Sequence, residues 1–325
     1  SRGALEADDM CRQLAQYASG DAIPFSPTAL EDYYRCPYRW FTSRRVGYNG
    51  MDNEFSAAAQ GNLAHAFFDA FYRELQRVGH ARVTPENLPE ALELARTVFD
   101  RQVERDAGKP KTGLFVRTQF DRLALEEVRS QVLGIVERDA RFLPQFAPTY
   151  FELELGRGTG STLMYAGVPV RGKVDRVDVD AAGRAVVVDY KLSKLAAGYG
   201  LGAGAKKALR IQTDIYAALV QRHFELLGED IRVVGSVYRS YSCNMMRGVY
   251  ERGLDFGPLE EVVDKRDALP SVDLPVDYST YLEDVERDVA ACVLRLVSGD
   301  IAPRPISDGV CEYCRAFAFC PRREA

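Results

Sequence analysis

Three cysteines stand close together near the C-terminus of this chain, and a fourth stands near its opposite end. They are Cys311, Cys314 and Cys320, with Cys36 as the distant member. Four thiolates are enough to bind one iron–sulfur cluster or one zinc ion, and the spacing excludes neither. A shared metal centre would close a very long loop, which by analogy with a disulfide stabilises a fold by roughly 4–5 kcal/mol. The cysteines therefore predict two chain ends fastened together by a structural metal centre, and the ordinary alternative is four unliganded thiols.

The remaining composition is that of a globular protein in a reducing compartment. Of the 325 residues, 46% are hydrophobic and 27% are charged, and no run of about 18 apolar residues occurs that would predict a membrane span. The cysteine count of seven is odd, and if four bind a metal, Cys11, Cys243 and Cys292 remain as ordinary thiols. This usage fits the cytoplasm better than a disulfide framework. The N-terminus has no apolar signal segment and no initiator methionine, so we expect a piece of a larger protein.

The spacing of apolar residues predicts helices in the first half of the chain and a small mixed sheet in the second. Ser26 and Pro27 mark the start of the first helix, because serine caps helices and proline favours the first helical position. Leu63 and Phe67 recur at helical spacing in a second helix that starts near Ala57. Further helices are predicted over 86–106, 118–142, 211–227 and 278–298, strands over 150–156, 185–192 and 231–241, and a hairpin or meander over 164–180.

We therefore expect an α/β fold in which a small mixed sheet is flanked by helices. Residues 1–24 would form a linker or an N-terminal helix, and residues 25–325 would form one domain. Within that domain the sequence indicates a helical part over 25–148, a sheet-containing core over 149–300 and a cysteine-rich tail over 301–325.

One predicted strand carries charges where its apolar interior ends. Asp189 and Lys191 stand two residues apart and project from one face, because side chains alternate along a strand. Charges at the end of a buried strand are costly unless they meet a metal, a partner or a substrate. Asp175 lies beyond a short turn, so a hairpin would bring the two carboxylates together. Carboxylates suit Mg²⁺ or Mn²⁺, which activates water and neutralises charge at a phosphate, and the lysine can assist.

Each of these signals has an ordinary explanation when it is taken alone. Asp175 and Asp189 could be strand-end charges, with Lys191 paired to one of them. His65 could be a core histidine of an apolar helix. Two further residues, Gln212 and Tyr216, share a helix face, where they could be a solvated amide and a core tyrosine. The combination of these residues favours a functional site.

Four short motifs occur in order along the chain. They are G-x-x-x-H at 61–65, G-x-x-D-R at 172–176, D-Y-K at 189–191 and Q-x-x-x-Y at 212–216. In this order they resemble the RecB-like branch of the PD-(D/E)xK nuclease superfamily, whose fold has a restriction-endonuclease-like core. The segments SPTALEDYYRCPYRWF and CEYCRAFAFC resemble members that carry a 4Fe-4S cluster, in particular the AddB nuclease domains of AddAB-type helicase–nucleases. The resemblance spans about residues 25–322.

The resemblance implies a divalent-metal site and a catalytic lysine. The ligands of Mg²⁺ or Mn²⁺ would be His65, Asp175, Asp189 and the backbone carbonyl of Tyr190. Lys191 would be the catalytic lysine. Members of the family usually continue D-Y-K with a small residue and glycine, whereas this chain continues with Leu-Ser-Lys, a departure that removes no catalytic group.

The same resemblance implies supporting residues and partners. Gln212 and Tyr216 would support the site or contact DNA, and either Glu152 or Glu154 would help to order it. The ligands of the 4Fe-4S cluster would be Cys36, Cys311, Cys314 and Cys320. The implied activity is hydrolysis of DNA, as an exonuclease at DNA ends, in double-strand break repair and recombination. The implied partner is the other subunit of a helicase–nuclease.

A basic segment close to the proposed site predicts phosphate contacts. Lys206, Lys207 and Arg210 follow a glycine-rich loop and precede Gln212. The net charge of −5 disfavours a protein that only coats DNA, but it suits an enzyme with acidic metal ligands and local basic patches. If these three side chains contact phosphate, DNA binding should weaken steeply with salt.

Three other functions remain open from the sequence. One is a stand-alone iron–sulfur exonuclease of the CRISPR-associated type. Another is a nuclease-like module that binds DNA or braces a partner without cleaving. The third is a structural protein stapled by zinc, which metal analysis would distinguish. The non-cleaving module is disfavoured because the chain retains the complete set of His65, Asp175, Asp189 and Lys191.

Overall fold

The computed structural model describes residues 24–324 except for 48–54, 110–111, 194, 196–198, 200–208, 244, 259–277 and 313. Almost all of the expected N-terminal segment 1–24, together with Lys206 and Lys207, lies outside the described residues. Across these described ranges, no helix is both long and apolar enough to pass through a membrane.

The first described helix begins where the sequence predicts it. Helix α1 (Pro27–Arg35) has Ser26 as its N-cap, and the hydroxyl of Ser26 accepts a hydrogen bond from the N–H of Ala29 at 3.1 Å. Cys36 separates α1 from the short helix α2 (Pro37–Trp40), which continues into a π-helical turn. The first proposed cluster cysteine therefore stands at a junction between two helices.

Three longer helices form the part that precedes the sheet. They are α3 (Ala57–Arg77), α4 (Leu88–Asp106) and α5 (Gln119–Asp139), close to the predicted bounds. Ser56 caps α3, and Thr118 and Asp121 form a reciprocal capping box at the start of α5. The apolar faces of the three helices pack together around fully buried aromatic residues such as Phe67.

A five-stranded mixed sheet forms the centre of the fold. In chain order the strands are β1 (Phe146–Glu154), β2 (Met164–Tyr165), β3 (Val168–Pro169), β4 (Lys173–Asp180), β5 (Arg184–Lys191), β6 (Arg232–Ser240) and β7 (Met245–Tyr250). The sheet order is β1-β4-β5-β6-β7, and β2 and β3 form a separate small hairpin. Strands β5 and β6 are parallel, whereas the other neighbouring strands of the sheet are antiparallel.

Strand β7 was not predicted by the sequence analysis. Its partner is β6, which it approaches closely at Gly248. A Cβ atom at this glycine would lie 2.1 Å from the backbone oxygen of Ser236, so the position excludes any larger residue. The glycine and the arginine of this segment weaken the pattern of alternating apolar residues by which the other strands were predicted.

Helices cover both faces of the sheet. Helix α6 (Gln212–Leu227) connects the parallel strands β5 and β6, and helix α7 (Tyr278–Val297) packs against α6. One face, which includes Val187, packs in the same core as α1, α6 and α7, and the other, which includes Val186 and Val188, packs with α3 to α5. The fold predicted from the sequence, a small mixed sheet flanked by helices, is therefore confirmed.

Candidate active site

The two aspartates of the proposed site face each other across neighbouring strands. In the antiparallel pairing of β4 and β5, Arg176 lies opposite Val188, which places Asp175 across from Asp189. The backbone N–H of Tyr190 donates a hydrogen bond to Oδ2 of Asp175 at 2.9 Å. The hairpin that was predicted to bring the two carboxylates together is confirmed, while their role as metal ligands stays a prediction.

Lys191 lies between an acid and an amide. Its ammonium nitrogen is 2.5 Å from Oδ2 of Asp189, and it donates a hydrogen bond to Oε1 of Gln212 at 3.1 Å. The Asp189 side chain is only 3% exposed, whereas that of Lys191 is 25% exposed. The ion pair considered in the ordinary explanation of the sequence is present. It belongs to a larger cluster of polar side chains, so it is not an isolated strand-end pair.

His65 comes to the same cluster from helix α3. Its Nδ1 lies 3.1 Å from Oδ1 of Asp175. Burial alone would lower the pKa of His65, but the charge of Asp175 and the hydrogen bond to it raise that pKa to about 9. Burial also acts to raise the pKa of Asp175, and His65 reverses this so that the pKa falls below its usual range. Each group therefore stabilises the charged form of the other.

Asp189 and Lys191 also shift each other's ionisation. Burial raises the pKa of Asp189 to about 6, against the opposing effect of the nearby ammonium. For Lys191, burial acts to lower the pKa, and the carboxylate of Asp189 outweighs it, so the pKa rises. Ionisation that is perturbed both by burial and by a specific charged partner is typical of functional sites.

A third carboxylate belongs to the cluster, and it is Glu152. Ligand atoms of His65, Glu152 and Asp175 all lie within 4.8 Å of one another. The other candidate, Glu154, is 55% exposed and pairs with Arg157. Glu152 is 20% exposed and forms an ion pair with the lysine at the start of β4. Of the two glutamates that the sequence left open, Glu152 is therefore the one that lies in this cluster, and its role in the site stays a prediction.

The backbone at Glu152 explains why the sequence could not choose. In a regular strand Glu152 and Glu154 would project from the same face, because they are two residues apart. Glu152 instead has a φ angle of +49°, in the left-handed region that side chains other than glycine seldom adopt. Strained conformations of this kind cluster at functional sites.

The donor set fits a hard divalent cation. One imidazole and two carboxylates, from His65, Glu152 and Asp175, offer nitrogen and oxygen atoms within 4.8 Å of one another. Asp189 lies across from Asp175 on β5, and its part as a further ligand stays a prediction. Mg²⁺ and Mn²⁺ prefer oxygen-rich ligand sets and leave positions open for water and phosphate. The part assigned to the carbonyl of Tyr190 stays a prediction.

Gln212 and Tyr216 lie in the first turns of helix α6. The start of this helix is held by Glu31, a residue that the sequence analysis did not single out. Nε2 of Gln212 donates hydrogen bonds to Thr28 at 3.4 Å and to Tyr216 at 3.5 Å. The carboxylate of Glu31, on helix α1, accepts the backbone N–H of Gln212. Nothing in the sequence marks Glu31, because the contact joins residues that are very distant along the chain.

A buried charge network supports the strand that carries the site. Arg176 donates hydrogen bonds to Asp139 and Asp178, both at 2.5 Å, and to the hydroxyl of Tyr190 at 3.0 Å. Arg239 forms a further ion pair with Asp139. All four charged groups are buried, and the two arginines balance the two aspartates. The network connects α5 with β4, β5 and β6.

Of the three residues predicted to contact phosphate, Arg210 is the one that the structure describes. Arg210 forms an ion pair with Glu31 at 2.9 Å, and 29% of its side chain is exposed. Its guanidinium also lies 4.9 Å from the centre of the Tyr199 ring. A role for Arg210 in binding phosphate stays a prediction, as does the role of Lys206 and Lys207.

The cysteine-rich tail returns to the end of helix α1. The N–H of Ile306 donates to the backbone oxygen of Arg35 at 2.9 Å. Burial raises the pKa of Cys36, and the neighbouring thiols of Cys314 and Cys320 raise it further. The role of Cys36, Cys311, Cys314 and Cys320 as ligands stays a prediction, and four thiolates are a chemically suitable set for an iron–sulfur cluster or for zinc.

Comparison with known proteins agrees with this geometry. A family model described as "PD-(D/E)XK nuclease superfamily" matches residues 24–321. The chain is also similar to proteins that are named as one subunit of an ATP-dependent helicase/deoxyribonuclease. One from Lactobacillus johnsonii is 26% identical over 74% of this chain and 22% of its own length, and one from Lacticaseibacillus paracasei is 30% identical over 55% and 16%.

The similarity covers most of this chain but only a small part of the first of these relatives. This chain spans about a fifth of the length of the curated relatives that it matches. The family match, by contrast, covers nearly the whole chain and includes the strands and helices that carry His65, Asp175, Asp189, Lys191 and Gln212. The chain belongs to the PD-(D/E)XK nuclease superfamily.

Proposed function

We propose that this chain is a metal-dependent DNA nuclease that hydrolyses phosphodiester bonds. The observation that carries the proposal is the convergence of His65, Asp175, Asp189 and Lys191 from α3, β4 and β5. Glu152 completes the acidic side of the site. A Mg²⁺ or Mn²⁺ ion held by these groups supplies Lewis-acid chemistry at the phosphate.

The side chains of the cluster have distinct tasks in this reaction. Hydrolysis forms a bond from a water oxygen to phosphorus and breaks the bond to a sugar oxygen. Lys191, fixed between Asp189 and Gln212, points a permanent positive charge at the phosphate oxygens, where negative charge increases in the transition state. His65 holds Asp175 through the hydrogen bond at Nδ1, and Tyr190 holds it through its N–H. These contacts keep the acids in place before substrate arrives.

We further propose that the chain acts within a larger assembly in the cytoplasm. Relatives of this chain are named as subunits of an ATP-dependent helicase/deoxyribonuclease. A helicase that delivers a separated strand to an adjacent nuclease site would supply DNA ends for exonucleolytic cleavage, in the repair of double-strand breaks and in recombination. The four cysteines would hold a 4Fe-4S cluster that fastens the tail to α1.

Cleavage of linear DNA tests the proposal directly. The protein is purified without oxygen and incubated with DNA in Mg²⁺ or Mn²⁺, beside the variant Asp189→Ala/Lys191→Ala. This variant removes both members of the ion pair, so neither charge is left buried without its partner. We expect the wild-type protein to cleave and the variant to lose at least about a thousandfold in rate.

An ion pair at the other end of the same hairpin provides the matched control. Arg184 and Asp180 are 2.7 Å apart, and Asp180→Ala/Arg184→Ala removes them from the same two strands. This control should cleave at the wild-type rate. The opposite outcome is a folded wild-type protein that contains its cluster and binds DNA, but does not cleave it either alone or with a helicase partner. That result would mean that the chain is a DNA-binding module and not a nuclease.

A further inference from the structure

Glu31 is a buried acid that serves a helix other than its own. It lies on α1 and only 2% of it is exposed. Its Oε2 accepts hydrogen bonds from the backbone N–H groups of Ile211 and Gln212, both at 2.9 Å, and its Oε1 pairs with Arg210 at 2.9 Å. Both oxygens of this carboxylate therefore bind the first residue of α6 and the residues just before it.

The N-terminus of α6 depends on this carboxylate. Ile211 occupies the N-cap position and has no side chain that could accept a hydrogen bond. The first N–H groups of a helix have no partner within the helix, and the positive end of the helix dipole favours a negative charge. Glu31 meets both requirements from α1 for Ile211 and Gln212, so it holds the start of α6, from which Gln212 projects, while the N–H of Thr213 donates to the hydroxyl of Tyr238 at 3.1 Å.

The position of Gln212 in turn determines the position of the catalytic lysine. Its Nε2 donates to the hydroxyl of Thr28, also on α1, at 3.4 Å. This contact turns the amide so that Oε1 faces Lys191 and accepts its hydrogen bond at 3.1 Å. The lysine is thereby held from one side by Gln212 and from the other by Asp189.

Helix α1 is itself held firmly at both ends. At its start, the N–H of Phe25 donates to the backbone oxygen of Pro169 at 2.9 Å, which attaches it to β3. Near its end, the hydroxyl of Tyr33 donates to the backbone oxygen of Asp300 at 2.6 Å. Cys36 follows five residues after Glu31, about 7.5 Å along the helix axis. A helix secured in this way can serve as a fixed reference for the active site.

We propose that Glu31 is a positioning residue of the nuclease, which sets the ammonium of Lys191 through the first turn of α6 and the amide of Gln212. The inference rests on the proposed function, in which Lys191 acts on the phosphate. It assigns to α1 a part in catalysis besides its part in the fold. Glu31 does not touch the substrate.

A double-mutant cycle of Glu31 and Gln212 tests the inference. The kcat and KM for linear DNA are measured at saturating Mg²⁺ for the wild type, Glu31→Gln, Gln212→Ala and the double variant. We expect Glu31→Gln to lower kcat by about 10- to 100-fold with a smaller change in KM, because a displaced lysine affects the transition state most. In the Gln212→Ala background the same change should cost less than about threefold, since its route of action is gone.

A capping acid elsewhere in the chain supplies the control. Asp121 accepts the backbone N–H groups of Arg117 and Thr118 at the start of α5. Asp121→Asn should lower the melting temperature but leave kcat unchanged at temperatures where all variants are folded. An unchanged kcat in Glu31→Gln, or effects of Glu31→Gln and Gln212→Ala that multiply in full, would overturn the inference.

A readout that does not require cleavage separates the inference from the proposed function. The rate at which an amine-acylating reagent modifies Lys191 is measured by peptide mass spectrometry in the folded proteins. We expect faster modification in Glu31→Gln than in the wild type and Asp121→Asn, because the lysine loses its orientation. An equal rate in all three would contradict the positioning role, whatever the nuclease assay shows.

Discussion

The backbone N–H of Tyr190 donates to Oδ2 of Asp175 at 2.9 Å, so the strand that carries Asp189 also orients the acid of its neighbour. The Tyr190 side chain is fixed on the opposite side of the strand. Its hydroxyl accepts a hydrogen bond from Arg176 at 3.0 Å, and its ring stacks on Phe68 at 4.0 Å between centres. The active-site hairpin is therefore built on a buried polar network.

Removal of the charge at Arg176 should destabilise the fold strongly. Arg176→Met leaves Asp139 and Asp178 buried with less compensating charge, and we expect a loss of about 3–5 kcal/mol in the free energy of unfolding. Urea denaturation followed by circular dichroism measures the loss. The matched change, Arg184→Met, breaks a partly exposed pair in the same hairpin and should cost less than about 1 kcal/mol. Similar losses in both variants would show that the buried network contributes no more to the free energy of unfolding than the partly exposed pair does.

The sequence predicts part of the site for a simple physical reason. Side-chain alternation along a strand places Asp189 and Lys191 on one face, and the short turn of the hairpin brings Asp175 beside them, so local rules suffice. Glu152 could not be distinguished from Glu154, because its left-handed backbone breaks that alternation. Glu31 could not be found at all, because its contact with α6 arises only when distant parts of the chain pack together.

Glu152 should contribute to metal binding. Its carboxylate lies with His65 and Asp175 within the spacing of a metal site, so Glu152→Gln should weaken the affinity for Mn²⁺ by about 10- to 100-fold. Isothermal titration calorimetry of the apoprotein measures this affinity. Glu154→Gln changes an exposed glutamate two residues away and should leave the affinity as in the wild type. Equal affinities in all three proteins would remove Glu152 from the site.

The cysteines should act as a structural staple. We expect Cys314→Ala to lose iron and sulfide and, in the same preparations, up to roughly 4 kcal/mol of the free energy of unfolding. Cys243, whose sulfur contacts the hydroxyl of Ser240, is the matched control, and Cys243→Ala should retain both metal and stability. Zinc in place of iron in the wild type would change the identity of the centre. An unchanged melting temperature in Cys314→Ala would contradict the structural role.

Salt should reveal whether the basic segment contacts DNA. Binding is measured in the presence of a chelator, so that no cleavage occurs. If Lys206 and Lys207 each neutralise a phosphate, Lys206→Ala/Lys207→Ala should reduce the slope of log affinity against log salt by about 2. Arg77 at the end of α3 and Arg101 on α4 are both exposed, and their double alanine variant should keep the wild-type slope. An identical slope in both variants would place the phosphate contacts elsewhere.

Asp214 should make the stability of the fold depend on pH. It is buried in the first turn of α6, where it accepts hydrogen bonds from Tyr281 at 2.9 Å and Ser236 at 3.1 Å. Burial raises its pKa from 3.8 to about 7. Because the folded protein holds this proton more tightly than the unfolded chain, the stability due to this group is complete below about pH 4. It declines as the pH rises towards 7.

The variant Asp214→Asn isolates this effect, because the amide resembles the protonated acid and does not titrate. We expect its stability relative to the wild type to increase between pH 5 and pH 8, by on the order of 2–4 kcal/mol. Urea denaturation at each pH gives the two curves. Asp180→Asn changes a carboxylate whose pKa is lowered and which is therefore ionised throughout this range, so it should show no such increase. Parallel curves for the wild type and Asp214→Asn would mean that the carboxyl ionises as easily in the fold as in the unfolded chain. A neighbouring positive charge would then offset the cost of burying the ionised carboxylate, because the hydrogen bonds from Tyr281 and Ser236 alone do not offset it.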